Sequence, residues 1–182
     1  MSRVWRDSAG QRTEEKTMEA QSIDKPDWID WARIGAALAA QFDPTVVEWR
    51  PATGKGGANA HVRLVAYISA SSVMARLDEV VGVGGWSFEL EPIVVADGEL
   101  MVARGRLTIL GVTKDAIGTA SNWEKSKGTD SDALKRAASR WGIARYLSEL
   151  PQVSCQLDGD GQIPAAMRAK LVESLRRRMS AA

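Results

Sequence analysis

The sequence predicts an α+β fold in which a curved antiparallel meander, β-β-β-α in order, packs against a long helix. Three observations predict it. Asp97-Gly98 joins two apolar-rich runs, a strong hairpin signal because both central residues of the tight turn take positive φ. Gly111-Val112 leads directly into a third such run. Beyond it, GTDSDALKRAASRWGIARYLSELP (residues 128–151) places Leu134, Ala137, Ala138, Trp141 and Ala144 on one side of a helix. Asp132, Lys135, Arg136, Ser139 and Arg140 fall on the other side, so one face can lie on a sheet while the other carries three cations.

In chain order, residues 1–24 are polar and mixed in charge, and they read as a disordered tail. Pro26 opens a helical segment from Trp28 to Phe42, with Trp28, Trp31, Ile34, Leu38 and Phe42 at helical spacing; Pro44 ends it. Val46 to Arg50 reads as a strand, and PATGKGGANA (51–60) as a flexible Gly-rich loop. His61 to Ile68 alternates, with Val62, Leu64, Ala66 and Ile68 against His61, Arg63, Val65 and Tyr67, which makes a strand. Ser69 to Val81 is a helix with Ser71 or Ser72 near its cap and Val73, Leu77, Val80 and Val81 inward. Trp86–Ala96, Glu99–Leu110 and Val112–Ala120 form the meander. The helix over 128–151 opens at Thr129 or Ser131 and stops at Pro151, with Gly142 loosening its register. QLDGDGQ (156–162) reads as a linker, and Pro164–Met179 as a last helix with Ala166, Leu171, Val172 and Leu175 inward. Its terminal Arg176, Arg177 and Arg178 suit a helix C-terminus, or else form a basic tail touching nucleic acid.

Composition narrows the function. The chain has 182 residues, enough for one domain with tails, and 45% are apolar, so a core can form. Lys and Arg total 24 against 23 Asp and Glu, a net charge of +1, so nucleic acid could only meet a local patch. Cys155 and His61 are single occurrences, which excludes a disulfide framework, a cysteine zinc site and a two-histidine metal motif within the chain. No apolar run approaches the ~20 residues of a membrane span, and the N-terminus lacks a signal-peptide core. A cytoplasmic protein without a membrane partner is expected. Seven tryptophans accompany only two Tyr and two Phe; core or subunit contact suits Trp86 and Trp141, whereas Trp123 lies in a polar loop and is the one to expect exposed.

The chemical motifs are mostly negative. The Gly-rich loop is a poor phosphate loop, because Trp49 stands where the first glycine of GxxxxGK belongs and Gly56 replaces the hydroxyl after Lys55. A flexible loop bearing one cation, near a ligand or a neighbouring subunit, is the better reading. Glu89 and Glu91 share a face without a third acid to complete a metal site, so they read as the solvated face of a sheet. No Ser-His-Asp set, Cys-His pair or acid-base pair occurs. The cations of the 128–151 helix are by themselves an ordinary solvated face, with Asp132 and Arg136 spaced as a surface pair worth about 0.3–0.5 kcal/mol.

The order of motifs adds to this. Tyr67-Ile68 before a helix, Gly85-Trp86-Ser87-Phe88-Glu89, Gly105-Arg106-Leu107-Thr108 with Gly111-Val112-Thr113, and Asp132-Ala133-Leu134-Lys135-Arg136-Ala137 with Trp141-Gly142-Ile143-Ala144-Arg145-Tyr146-Leu147 follow one another on the expected elements. Over residues 45–152 this resembles the Rad fifty-two superfamily of single-strand annealing and recombination-mediator proteins, and most of all its bacterial and phage DdrA-like branch. The resemblance implies a β-β-β-α core, association of subunits into a ring, and single-stranded DNA in a basic outer groove. It implies that Lys135 and Arg136 hold the DNA backbone, with Arg50 lining the same groove and Lys125 and Lys127 contributing from before the helix; Lys55, the cation of the Gly-rich loop, is a further candidate contact. Eukaryotic members carry a third cation one position before Arg140, where this chain has Ser139, so Arg140 either replaces it or points elsewhere.

The expectation is therefore a ring-forming DNA-binding domain over 25–155, followed by a linker and basic helix over 156–182. The protein would bind single-stranded DNA without enzymatic activity or cofactor, form homo-oligomers, and anneal strands or protect 3′ ends in repair and recombination. Other recombination proteins are possible partners, and the setting would be the nucleoid of a bacterium or a phage-infected cell. The alternative is a ring-forming scaffold whose cations pair acids between subunits.

Overall fold

The computed structural model describes residues 29–52, 56–120 and 125–180, with only the backbone described at 125–127. The expected tail over 1–24, Trp28, Lys55 and Trp123 lie outside the described residues, as do the side chains of Lys125 and Lys127. From Trp31 onward the chain is a single compact unit.

Among the described residues, two three-stranded antiparallel sheets form an α+β architecture with four helices. The first sheet has the order β1-β2-β6, with β1 at Glu48–Pro51, β2 at His61–Tyr67 and β6 at Val153–Gln156. The second is the meander β3-β4-β5, at Trp86–Ala96, Glu99–Ile109 and Val112–Thr119. Both meander turns are two-residue turns with positive φ at each position, Asp97 at 52° with Gly98 at 74°, and Leu110 at 46° with Gly111 at 82°. That geometry matches the right-handed twist of the flanking strands. Leu110 is a side chain held in a conformation that favours glycine, so the expected strand ends one residue early.

Helix α1 (Trp31–Ala39) buries Ile34 and Leu38 and is shorter than the expected 28–42 segment. Its last carbonyls are taken by Arg76 of α2 (Ala70–Val81), whose Nη1 donates to Ala37, Leu38 and Ala40 oxygens at 3.2, 3.4 and 2.6 Å. The cap of α2 is Ser69 rather than Ser71 or Ser72. Its hydroxyl accepts from the Ser72 amide at 3.1 Å, satisfying one of the helix's unpaired donors.

Helix α3 (Lys125–Arg140) lies across β4 and β5. It differs at both ends from the helix read over 128–151. Thr129 is not a cap: it is fully buried, and its hydroxyl donates to the Leu100 carbonyl of β4 at 2.7 Å, a tertiary bond no local pattern reveals. At the other end Gly142, at φ 96°, turns the chain out of the helix, and Arg145–Glu149 continue as a 3₁₀ turn. The carbonyls thus freed are satisfied by side chains. Arg145 donates to Ser139 and Arg140 oxygens at 2.9 and 3.0 Å, and Lys114 to Arg140 oxygen at 3.0 Å. The buried stripe is Ala133, Leu134, Ala137 and Ala138. Two glycines set how closely it packs. A Cβ on Gly118 would lie 2.5 Å from the Ala133 nitrogen, and one on Gly105 would lie 2.9 Å from the Ala133 Cβ.

The segment after Pro151 is more ordered than the linker reading implied. Strand β6 pairs with β2, and Asp158 closes the following turn by accepting from the Asp160 and Gln162 amides at 3.0 and 2.8 Å. Helix α4 (Ala165–Ser180) then returns to the first sheet, where Leu171 joins Leu64, Cys155, Leu157 and Ile163 in one core cluster edged by Trp49, Val62 and Val153. Leu175 is also buried, Val172 is half-buried, and Ala166 is exposed rather than inward.

Candidate nucleic-acid interface

Tyr67, the last residue of β2, faces Glu48 across the β1–β2 ladder, and Arg50 lies two residues along β1 on the same side of the sheet. The phenol donates to Glu48 Oε2 at 2.5 Å. Burial first, and then this bond, push the phenol up to about 12, so it stays protonated. The Arg50 guanidinium carbon stands 5.8 Å from the ring centroid, and Lys135 Nζ, arriving from α3, stands 5.6 Å from it. One aromatic ring therefore gathers a cation from the first sheet and another from the helix on the second, both within cation–π range.

The surroundings of Lys135 give it an uncommon state. It is half-buried, and burial holds its ammonium below the usual lysine value. Asp132 acts in the opposite direction, while the positive field of Arg50 adds to the depression. Asp132 is itself committed. Its Oδ2 accepts from Arg136 Nε at 2.7 Å and from the Thr119 amide at 3.0 Å, so one carboxylate both ties α3 to the end of β5 and orients Arg136. Arg136 still exposes 58% of its side chain and can bind a second anion with its remaining N–H groups.

The structure thus brings Arg50, Lys135 and, through Asp132, Arg136 into one neighbourhood. Arg140 lies elsewhere, at the far end of α3, with Nη1 3.9 Å from Asp115. Lys55 and the side chains of Lys125 and Lys127 lie outside the described residues. Sequence reasoning missed Tyr67 and Glu48 as members of the site. The available signal was the alternation that put Tyr67 on the non-core face of β2. Beside the site, a recess of about 400 Å³ runs past Glu48 and Tyr67 to Trp49, Ile163 and Arg168.

Chemically, the arrangement offers fixed cations, a neutral phenol and two engaged carboxylates, Glu48 and Asp132. That suits reversible binding of phosphate oxygens. Among the described residues, no three His, Cys, Asp or Glu come together to hold a metal ion, and no helix is long and apolar enough to cross a membrane.

This fold belongs to a known class. Residues 30–160 match the Rad52/22 family of double-strand break repair proteins, and the chain is a member of that family. Within it, the chain is similar to two proteins named single-stranded DNA-binding protein DdrA. The one from Deinococcus radiodurans is 41% identical over 117 residues, covering 63% of this chain and 54% of the relative. The one from Deinococcus deserti is 40% identical over 117 residues, covering 63% and 56%. The chain therefore spans about half the length of these curated relatives.

Proposed function

We propose that the protein binds single-stranded DNA without catalysing a reaction on it, assembles into a homo-oligomeric ring, and anneals complementary strands or protects 3′ ends during repair and recombination in a bacterial or phage setting. The observation that carries the reading is the convergence of Arg50, from the first sheet, and Lys135, from the helix packed on the second, on the ring of Tyr67. Family membership and the names of the two relatives support it. Phosphate contacts of this kind are independent of sequence and weaken with salt. A single subunit makes few of them, so a ring that repeats the site along one strand gains by summing them.

Support for assembly comes from the end of the first meander hairpin. Ile93, Val94 and Val95 are 48, 44 and 60% exposed, an aliphatic run that a subunit contact would take out of water. Pro92 and the register shifts beside it make β3 irregular in its pairing with β4, so a second copy would meet this run through side chains rather than by extending a regular strand.

The test is binding of a fluorescent oligonucleotide, single-stranded against duplex, at low and moderate salt, with sedimentation of the same samples. Tight, salt-sensitive, strand-selective binding by a large oligomer supports the proposal, and an annealing assay and a 3′-exonuclease protection assay then separate its two branches. An oligomer indifferent to DNA overturns it. That result would favour a scaffold whose cations pair acids between subunits, an arrangement the Arg140–Asp115 approach already resembles within one subunit.

A further inference from the structure

The two sheets treat their surface arginines differently. On the meander, Arg104 and Arg106 alternate with Gly105 and Leu107 and point away from α3, and both are neutralised. Arg104 lies 3.3 Å from Glu91 and 3.6 Å from Asp115, and Arg106 lies 3.4 Å from Glu91. On the first sheet the matching positions are His61, Arg63, Val65 and Tyr67, which alternate with the core residues Val62 and Leu64. His61 and Arg63 are exposed, and among the described residues Arg63 makes no ion pair. The one acid across the ladder on this face, Glu48, accepts from Tyr67. Neutral hydrogen-bonding residues flank this face on the other side, since Ser154 stands opposite Arg63 and Gln156 opposite His61.

We infer that the polynucleotide path continues from Lys135 and Arg50 onto this face of β2, with Arg63 and then His61 taking successive phosphates of a single strand. The inference rests on the single-strand reading above and adds residues and a direction to it. Side chains on one face of a strand repeat about every 6.8 Å, and Tyr67 to His61 spans about 20 Å. That repeat is comparable to the phosphate spacing of an extended single strand, whereas the rigid curve of a duplex backbone meets a flat strand at fewer points. Val65, between Arg63 and Tyr67, leaves an uncharged step against which a base or sugar can rest. Arg50 stands opposite Val65, so the cations form a staggered track rather than a point cluster.

The experiment measures binding of oligo-dT of graded length by the full chain over a series of salt concentrations, for wild type, Arg63→Ala, Arg63→Lys, His61→Lys and Lys135→Ala. Arg63→Ala should weaken binding of longer oligonucleotides by about three- to tenfold and make the slope of log K against log salt shallower by about 0.7, the value of one single-strand phosphate contact. The shortest oligonucleotides that still bind should be indifferent to it. Arg63→Lys should restore most of the slope, and His61→Lys should steepen it by a similar ~0.7. Because the last change adds affinity, misfolding cannot imitate it. If Arg63→Ala and His61→Lys match wild type at every length and salt while Lys135→Ala loses binding, the track is overturned and the site at Tyr67 stands. If Lys135→Ala also matches wild type, the single-strand reading falls with it. An Arg63 variant that binds DNA normally but loses an acidic peptide would assign this face to protein and equally overturn the inference.

Discussion

Ala133 and Gly118 touch: the helix backbone lies over the strand so closely that a Cβ on Gly118 would stand 2.5 Å from the Ala133 nitrogen and 2.6 Å from its Cβ. Since Lys135 is two residues beyond Ala133, this contact fixes how far the lysine reaches toward Tyr67. Gly118→Ala should lift α3 from β5 and cost about 1–3 kcal/mol, in the range of overpacked cores. Thermal melting reads the stability, and oligonucleotide affinity should fall along with it. A variant as stable as wild type would mean the helix seat is softer than this contact implies.

In the proposed site Arg50, Lys135 and Arg136 would hold phosphate, so each alanine variant should lower affinity and reduce the salt slope by about 0.7. The loss at Lys135 should exceed that at Arg136, because Arg136 already spends one N–H on Asp132. Arg140→Ala should have the smallest effect on DNA, as its guanidinium lies toward Asp115. Sedimentation of the same variants should show unchanged assembly. Loss of the oligomer with intact affinity would reverse the assignment.

The pH dependence follows from Lys135. Burial lowers its value in the free protein, and a bound phosphate favours the charged form and raises it again. Affinity should therefore be level through neutrality and fall as pH rises through the depressed value, earlier than an ordinary lysine at about 10.4 would allow. Tyr67 stays neutral through that window, its phenol being at about 12. Lys135→Arg keeps its charge and should abolish the early fall. Parallel pH profiles for wild type and Lys135→Arg would rule Lys135 out as the cause.

Tyr67 can be divided into ring and hydroxyl. Tyr67→Phe keeps the face seen by Arg50 and Lys135 and releases Glu48, so DNA affinity should drop slightly because a free carboxylate now competes for the cations. Tyr67→Ala removes the ring as well and should cost more, about 0.5–1 kcal/mol for each cation that rested on it. Titration calorimetry separates the two. Equal losses would make the hydroxyl, not the ring, the important group.

For the hairpin patch, Val94→Glu with Val95→Glu should shift the sedimentation profile toward smaller species at constant melting temperature, since both side chains are already in water. An unchanged oligomer would place subunit contact elsewhere.

How much of this was legible in the sequence depends on the range of the interaction. The meander was legible because Asp97-Gly98 and Gly111 are local turn signals, and the strands between them alternate. The apolar stripe of α3 was legible for the same reason, except that Ala133 escaped notice because only Gly105 and Gly118 make it a contact residue. The ends of α3 were not legible. Thr129 reads as a cap but bonds to Leu100 in another strand, and the stop at Arg140 depends on Gly142 together with Arg145 and Lys114. In the site, Arg50 and Lys135 were paired by family resemblance alone, 85 positions apart (135 − 50). The ring that joins them was already visible as an outward residue of β2, but nothing local said that a helix from the other sheet would arrive beside it.

That junction also makes the ligand part of the folding equilibrium. Arg50 and Tyr67 belong to one sheet and Lys135 to a helix seated on the other, so the full set exists only while the two layers are docked. A strand that binds the set cannot bind equally well to a chain whose layers have parted. At a hundred times its dissociation constant it would stabilise the docked form by about 2.7 kcal/mol. DNA would then act on this protein as a reversible staple between its layers, and subunits lining a loaded strand would resist heat and proteolysis better than idle ones.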